Sequence, residues 1–379
     1  MEKYTAAYSS RFEKIYNWMA QEGIALLVLE DTETRRDRNI RWFTGQPGDA
    51  LLILSAEPER KAILIAWDVN LAKLYAAQSP VMIASYNDFD RKPRKAVAAA
   101  AQKLGIPAGS KIEIPSVTPY PVFLDYVGEM TEFDILCRNK GAASEIDKLR
   151  AVKDEEEIAI MRKAADITNK LIESIVKNVK SGKIKTEADA AMFIEVESRK
   201  QGCEGTSFAT LAAGPDRSYA IHAFPNWTNA PFGGQGLSIL DFGVKLGGYC
   251  TDVTITFARD LDAKQEKMVN LVEKAYKLAL SMSNNKTRTR DISAAVDTLF
   301  SKSKKKMPHA LGHGIGLEEH ENPVVKNIND NDWILESGMI FTVEPGLYDP
   351  LLGGCRLEND ILVTAAGPDV LTLAEIIRL

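Results

Sequence analysis

The chain has 379 residues, enough for two domains or one large one, with 47 Lys+Arg against 52 Asp+Glu, a formal net charge of -5 and a pI of about 5.6. That balance lacks the basic field of a general nucleic-acid binder, and 45% hydrophobic with 26% charged residues is the composition of an ordinary globular core, not of a disordered chain. No apolar run approaches the ~18 residues of a membrane span, Met1 to Lys14 is polar without a signal core, and Cys137, Cys203, Cys250 and Cys355 form no CxxC pair. The expectation is a cytoplasmic protein without a membrane anchor, disulfide scaffold or zinc knuckle.

Short apolar runs open the chain: Ile24–Leu29, Ala50–Leu54, Ala62–Ala66, Val81–Ala84 and Lys111–Ile114. Helical patterns at Arg11–Gln21, Leu71–Ala77 and Lys92–Leu104 lie between them. The alternation predicts an α/β domain with a largely parallel sheet, and Pro115, Pro119 and Pro121 punctuate its far end. The pattern changes near 138–143, so the domains are expected at 1–140 and 141–379. Glu145–Ala165 reads as one long amphipathic helix, followed by helices at Ile167–Val179 and Glu187–Gln201. From Ser207 onwards, glycine-rich turns and strands are interrupted by helices near Ala263–Ser283 and Arg290–Ser301. The second domain is therefore predicted to be α+β. The lysine run Lys302–Lys306 reads as a solvated loop ahead of Pro308 rather than a phosphate patch.

Histidine is scarce, and its placement is informative. Of the four, His309, His313 and His320 share one twelve-residue stretch, and only His222 stands apart. Gly312, Gly314 and Gly316 let backbone or ligand approach these imidazoles. The acids show a second pattern. Ser238–Leu246 and Tyr249–Phe257 have strand composition, and Gly247-Gly248 is a two-residue hairpin turn. That turn pairs Leu246 with Tyr249 and, counted back, Asp241 with Thr254. Asp252 then lies on the same face as Asp241, with a backbone spacing of ~7–8 Å. Glu344 sits at a strand end stopped by Pro345-Gly346. Glu358 shares one strand face with Arg356 and Asp360, opposite Leu357, Ile361 and Val363.

Carboxylates held together repel, and some must protonate unless cations neutralise them. Four carboxylates balance two divalent ions, and oxygen ligands with an imidazole suit Mn²⁺, Co²⁺, Fe²⁺ or Zn²⁺. The residues alone thus point to a dinuclear hydrolase. The triplet Asp241-Phe242-Gly243 also matches a kinase signature, but the chain has no glycine-rich nucleotide loop and no HRD-type loop. Gly233-Gly234-Gln235-Gly236 likewise reads as a turn.

The order Asp, Asp, His, Glu, Glu resembles the pita-bread (creatinase/aminopeptidase P/prolidase) family of metallopeptidases. Leu149–Ile158 resembles the opening helix of that family's catalytic domain, Gly214–His222 its first histidine motif, and Asn39–Gly45 a motif of its creatinase-like N-terminal domain. The Gly214–His222 stretch is one residue longer than usual and lacks the proline that often precedes the histidine. Asp68-Val69-Asn70 stands where many relatives have an Asp-Arg-Tyr-like triplet.

The resemblance implies an α/β creatinase-like domain at 1–140 and an α+β pita-bread catalytic domain at 141–379. It implies two divalent ions, Mn²⁺ or Co²⁺ ahead of Zn²⁺ or Fe²⁺. By it, Asp241 chelates one ion, Asp252 and Glu358 bridge both, and His313 and Glu344 hold the other, with Glu344 also the base. His222 and His320 contact the scissile carbonyl and the tetrahedral intermediate, and Arg356 stands beside Glu358. The implied function is an Xaa-Pro dipeptidase acting on short proline-containing peptides, a homodimer that engages neither nucleic acid nor membrane. The rivals are an aminopeptidase P acting on longer peptides, a non-peptide amidohydrolase on the same scaffold, and an inactive binding module. Arg356 and Arg217 are the two candidates for holding a terminal carboxylate.

Overall fold

A computed structural model describes residues 5–56 and 60–379; Met1–Tyr4, part of the polar N-terminal stretch, lie outside the described residues. The chain divides into two compact units, Met1–Leu149 and Arg150–Leu379.

The first unit opens with α1 (Ala6–Glu22), which buries Phe12, Ile15, Tyr16 and Met19. That spacing gives a single apolar stripe. The Thr5 side chain accepts from the Tyr8 amide at its start, and Gly23 ends it at φ 68°. The elements that follow are β1 (Ile24–Asp31), α2 (Arg38–Thr44), β2 (Ala50–Ser55), β3 (Lys61–Ala66), α3 (Val69–Tyr75), β4 (Met82–Ser85), α4 (Pro93–Lys103), β5 (Lys111–Glu113), α5 (Tyr120–Glu129) and β6 (Asp134–Leu136). The sheet order is β4-β3-β2-β1-β5-β6. β4 with β3, β1 with β5, and β5 with β6 run parallel, whereas β2 is antiparallel to both β1 and β3. The sheet is thus mixed rather than largely parallel. The connection from Ser55 to Lys61 is too short for a parallel crossover, which needs a dozen residues or more.

The predicted long helix is two, the first of which ends at the start of the second unit. α6 (Ala142–Ala151) stops before α7 (Glu155–Lys180) begins at Asp154, whose side chain and that of Glu157 form a reciprocal capping box. α7 then runs unbroken through the stretch read as a second helix. It is followed by α8 (Glu187–Lys200), β7 (Gly205–Thr206), β8 (Leu211–Ala213), β9 (Gly236–Phe242), β10 (Val244–Leu246), β11 (Tyr249–Cys250), β12 (Val253–Arg259), α9 (Ala263–Met282) and α10 (Thr289–Lys302). The last stretch is all strand: β13 (Gly312–Gly314), β14 (Glu321–Val325), β15 (Ile340–Val343), β16 (Gly346–Asp349), β17 (Gly353–Arg356), β18 (Asn359–Thr364), β19 (Gly367–Val370) and β20 (Ile376–Arg378).

The main sheets of this unit are β20-β12-β9-β8 and β14-β13-β15-β18-β19, and the helices α7 to α10 share one apolar core with them. The region read as one strand around Glu358 is divided. β17 pairs with β16, β18 pairs with β15, and Leu357-Glu358 lies at the transfer between them.

Candidate metal centre

The β9–β12 pairing carries the first two acids. Its register places Asp241 opposite Thr254, as the Gly247-Gly248 turn predicts. Both turn glycines have positive φ, 57° and 89°, the geometry of a type I′ hairpin whose twist matches the strands. Gly243 interrupts one strand just after Asp241, and Asp252 sits in the matching gap on the other. A Cβ at Gly243 would meet the Thr251 carbonyl oxygen at 1.7 Å, so the two chains cross closer there than any other residue allows. Both carboxylates flank that crossing and are buried, Asp252 to 4% exposure.

The second sheet brings the remaining groups. The amide of His313, on β13, donates to Thr342 Oγ1 on β15. The ring Nδ1 lies 3.1 Å from the Gly314 carbonyl. A carbonyl only accepts, so Nδ1 carries the hydrogen and Nε2 keeps its lone pair. That lone pair faces Glu344 Oε1 at 3.6 Å and Asp252 Oδ2 at 3.8 Å. Asp252, His313 and Glu358 each offer a ligand atom, all within 4.8 Å of one another. Burial lowers the His313 pKa to about 3, with the adjacent His320 adding to the effect, so the imidazole is neutral.

Arg356 ties the acids together from behind. Its guanidinium donates to Asp241 Oδ2, to Thr254 Oγ1 at 2.8 Å, to the Tyr348 hydroxyl at 2.8 Å and to the Ile221 carbonyl at 3.1 Å. Thr254 in turn donates to Glu358 Oε2 at 2.7 Å. His309 approaches the Tyr348 hydroxyl at 3.0 Å through Nε2 and Glu344 at 3.6 Å through Nδ1.

Asp360, two residues after Glu358, accepts the Asp252 amide at 3.1 Å and is 1% exposed. Asp360, Thr254 and Tyr348 escaped the site reading. Asp360 carried a signal, since it alternates with Arg356 and Glu358. Tyr348 carried a weaker one, reaching Arg356 across the β16–β17 hairpin.

This density of charge has an electrostatic consequence. Burial, then Glu358, Asp241 and Asp360, hold the Asp252 carboxyl well above the usual range. Burial and Glu358 do the same to Glu344. Burial raises Asp360, and burial with Asp241 pushes Glu358 up to about 7. Five carboxylates face one guanidinium. Among the described residues, Asp241 Oδ1, Asp252 Oδ1 and Asp360 Oδ1 are buried without a hydrogen-bond partner. Such atoms cost free energy unless something else satisfies them.

A cleft of about 570 Å³ opens over the cluster. Asp241, Asp252, His313, Glu344, Glu358 and Arg356 lie at its floor, while His222, His309 and His320 also line it. His222 and His320 are exposed, and the rings of His320 and His313 are 4.1 Å apart by their centroids. The eight residues expected to bind metal or act in catalysis therefore line one cleft. Arg217 does not line it; its guanidinium is committed to Glu187 and the Pro225 carbonyl.

Residues 159–365 match the family described as Metallopeptidase family M24, and residues 11–115 match the Creatinase/Prolidase N-terminal domain. A Bacillus subtilis protein named "Putative dipeptidase YkvY" is 27% identical over 369 residues, 96% of this chain and 97% of that one. The solved Xaa-Pro dipeptidase from Bacillus anthracis has a TM-score of 0.82 at 26% identity, covering 98% of this chain and 100% of that one. The X-Pro aminopeptidase from Thermotoga maritima also has a TM-score of 0.82, at 23% identity, with 97% and 99% covered, a likeness of fold.

Proposed function

The chain belongs to metallopeptidase family M24, and from that premise we propose that it is a dinuclear Xaa-Pro dipeptidase. Its pita-bread catalytic domain follows a creatinase-type N-terminal domain, and its structural neighbours include Xaa-Pro dipeptidases. The proposed domain bounds are 1–140 and 141–379. The observation that carries the reading is the convergence of Asp252, His313 and Glu358 among buried carboxylate oxygens that lack partners.

The donor set fits divalent ions. Five ionised carboxylates against Arg356 leave four negative charges, which two divalent cations would balance. The Nε2 lone pair of His313 and the unpartnered oxygens of Asp241 and Asp252 are the donors such ions require. Asp241, Asp252, His313, Glu344 and Glu358 would hold them, Mn²⁺ or Co²⁺ being the proposed occupants. Bound there, the pair would supply Lewis acidity toward a carbonyl and a lowered pKa for water.

The chain's own groups divide the remaining work. The Glu344 side chain is 16% exposed, against 3% for Glu358 and 6% for Asp252, and is the most accessible of these three acids lining the cleft. Glu344 takes a proton from the attacking water, whose oxygen bonds the carbonyl carbon, and delivers it to the proline nitrogen as the C–N bond breaks. His222 and His320, exposed at the cleft wall, donate to the oxygen that gains charge. Arg356 keeps Asp241 and Thr254 in place and so orients Glu358 through the Thr254 hydroxyl. An Xaa-Pro amide has no N–H, so a protease that grips that hydrogen fails on it. A cleft that grips the free amine and the pyrrolidine ring does not need it.

The proposed setting is the cytoplasm, supported by four free cysteines, and the proposed assembly is a homodimer, supported by the family resemblance. No helix among the described residues is long and apolar enough to cross a membrane. The test is a panel of Xaa-Pro dipeptides assayed with the metal content of the same sample determined. Hydrolysis that tracks occupancy of two ions per chain is expected. Full activity in metal-free protein would overturn the metal assignment, and turnover of small non-peptide amides alone would overturn the substrate.

A further inference from the structure

We propose that Glu187 is a positioning residue that holds the His222 loop over the metal centre; the inference rests on the role given above to His222. Glu187 is the first residue of α8 and is 0% exposed. A lone buried carboxylate is costly, so its partners show what the fold uses it for.

Those partners are the two ends of one loop. At the entrance, the Gly214 amide donates to Oε1 at 2.7 Å. At the exit, the Thr228 amide and the Thr228 hydroxyl both donate to Oε2 at 2.7 Å. From within, the Arg217 guanidinium donates to Oε2 and also reaches the Pro225 carbonyl. One carboxylate thus gathers residues 214 to 228, the segment that carries His222. The helix start adds backbone bonds from the Glu187 amide to the Ala230 carbonyl and from the Ala188 amide to the Thr228 carbonyl.

Other contacts hold single points of the loop: the Gly354 amide donates to Ser218 Oγ at 3.0 Å, the Ala212 amide to the Asn226 carbonyl at 2.9 Å, and Asn226 Nδ2 to the Ala209 carbonyl at 3.0 Å. Inside it, the Ser218 and Arg217 amides bond back to Gly214, and Ala220 to Arg217. Near the histidine, Arg356 takes the Ile221 carbonyl at 3.1 Å. His222 and Phe224 are exposed, Phe224 to 92%, and the tip packs through the small side chains Ala220 and Ala223 against Leu211, Ala213 and Ile239. Hydrogen bonds add direction, from Arg356 on one side and Glu187 at the base. Arg217 therefore has a second task here, as the strut between carboxylate and loop.

The test is a double-mutant cycle on the metal-loaded enzyme with an Xaa-Pro dipeptide. Glu187→Gln is expected to lower kcat tenfold or more, with two metal ions still bound and KM within about twofold. In a His222→Ala background the same substitution is expected to cost nothing further in kcat, because its route to the chemistry is already gone. Thr228→Val, which removes a single donor, is the gentler variant and is expected to move kcat the same way by a smaller factor. An equal loss from Glu187→Gln in both backgrounds would overturn the proposal and leave a purely structural role. Hydrogen exchange supplies a readout free of activity: Glu187→Gln is expected to speed exchange across 214–228 and not across β9 and β12. Unchanged exchange in the loop overturns the clamp. A wild-type chain that cleaves no Xaa-Pro peptide overturns the assigned reaction, and the exchange result then decides the clamp by itself.

Discussion

His313 has its Nδ1 hydrogen committed to a carbonyl and its remaining lone pair aimed at two carboxylates. Lone pair against carboxylate is repulsive in the bare site, and a cation reverses the sign. His313→Ala is therefore expected to weaken metal binding by more than the ~10–100-fold that losing an outer partner costs. His222→Ala and His320→Ala are expected to leave occupancy unchanged and to lower kcat by about 10²-fold, the scale of a lost oxyanion donor. Metal analysis beside kinetics checks both, and an emptied site in His320→Ala with a full one in His313→Ala would reverse the assignment. The acids make a second prediction. Asp252, Glu344 and Asp360 lie well above the usual carboxylate range and Glu358 near 7, burial being the first cause for each. A folded-state pKa above the unfolded one contributes stability at low pH that is lost as pH rises through the folded value. Metal-stripped protein is accordingly expected to lose several degrees of Tm between about pH 5 and pH 8, and to regain them at pH 8 on addition of Mn²⁺. A flat Tm profile in stripped protein would contradict the clustered charge.

The hairpin that carries Asp241 and Asp252 was legible because its turn is. Two consecutive glycines between two strand-like runs fix the register, and with a period of two the register fixes the face. Other elements were less readable. Asp154 and Glu157 spell a capping box, yet the apolar spacing continues across it, so periodicity alone joins α6 to α7. Around Glu358 the alternation of Arg356, Glu358 and Asp360 is real, but nothing local says that the chain changes partner strands at Leu357. That change is a tertiary fact, set by β16 on one side and β15 on the other. The crossing at Gly243 belongs to the same scale. Gly243→Ala places a methyl group against the Thr251 carbonyl and must push the two strands apart. A loss of about 1–3 kcal/mol is expected, the range for overpacking, together with weaker metal binding, since Asp241 and Asp252 flank the crossing. Gly128→Ala is the control: it lies in α5, no atom comes within 4 Å of its added Cβ, and it is expected to be neutral or stabilising. Urea unfolding and metal titration of the two variants measure the difference, and equal behaviour would show that the crossing tolerates a side chain.

At the scale of the whole chain, the change of pattern between an α/β half and a strand-rich half could be read directly, while the grouping of Asp241, Asp252, His313, Glu344 and Glu358 as proposed ligands came from the family resemblance. Substrate length could not, because it depends on which cations remain free once the fold is made. A dipeptidase must meet the carboxylate of the terminal proline, and an aminopeptidase must leave that end open. Both arginines with a claim to the carboxylate are engaged. Arg356 is 2% exposed and bonds Asp241, Tyr348, Thr254 and Ile221, and Arg217 serves Glu187 and Pro225. Among the described residues lining the cleft of the catalytic unit, no free guanidinium is left to face a carboxylate, only imidazole and amide groups. Imidazoles donate hydrogen bonds but carry full charge only when protonated, so they discriminate less than a free guanidinium. The expected preference is therefore modest. For an Xaa-Pro dipeptide against the same sequence extended by two residues, kcat/KM should favour the dipeptide by about tenfold, or ~1.4 kcal/mol. Equal or better cleavage of the longer peptide would assign the chain to the aminopeptidase branch, with the same carboxylates and the same His313 holding the metals.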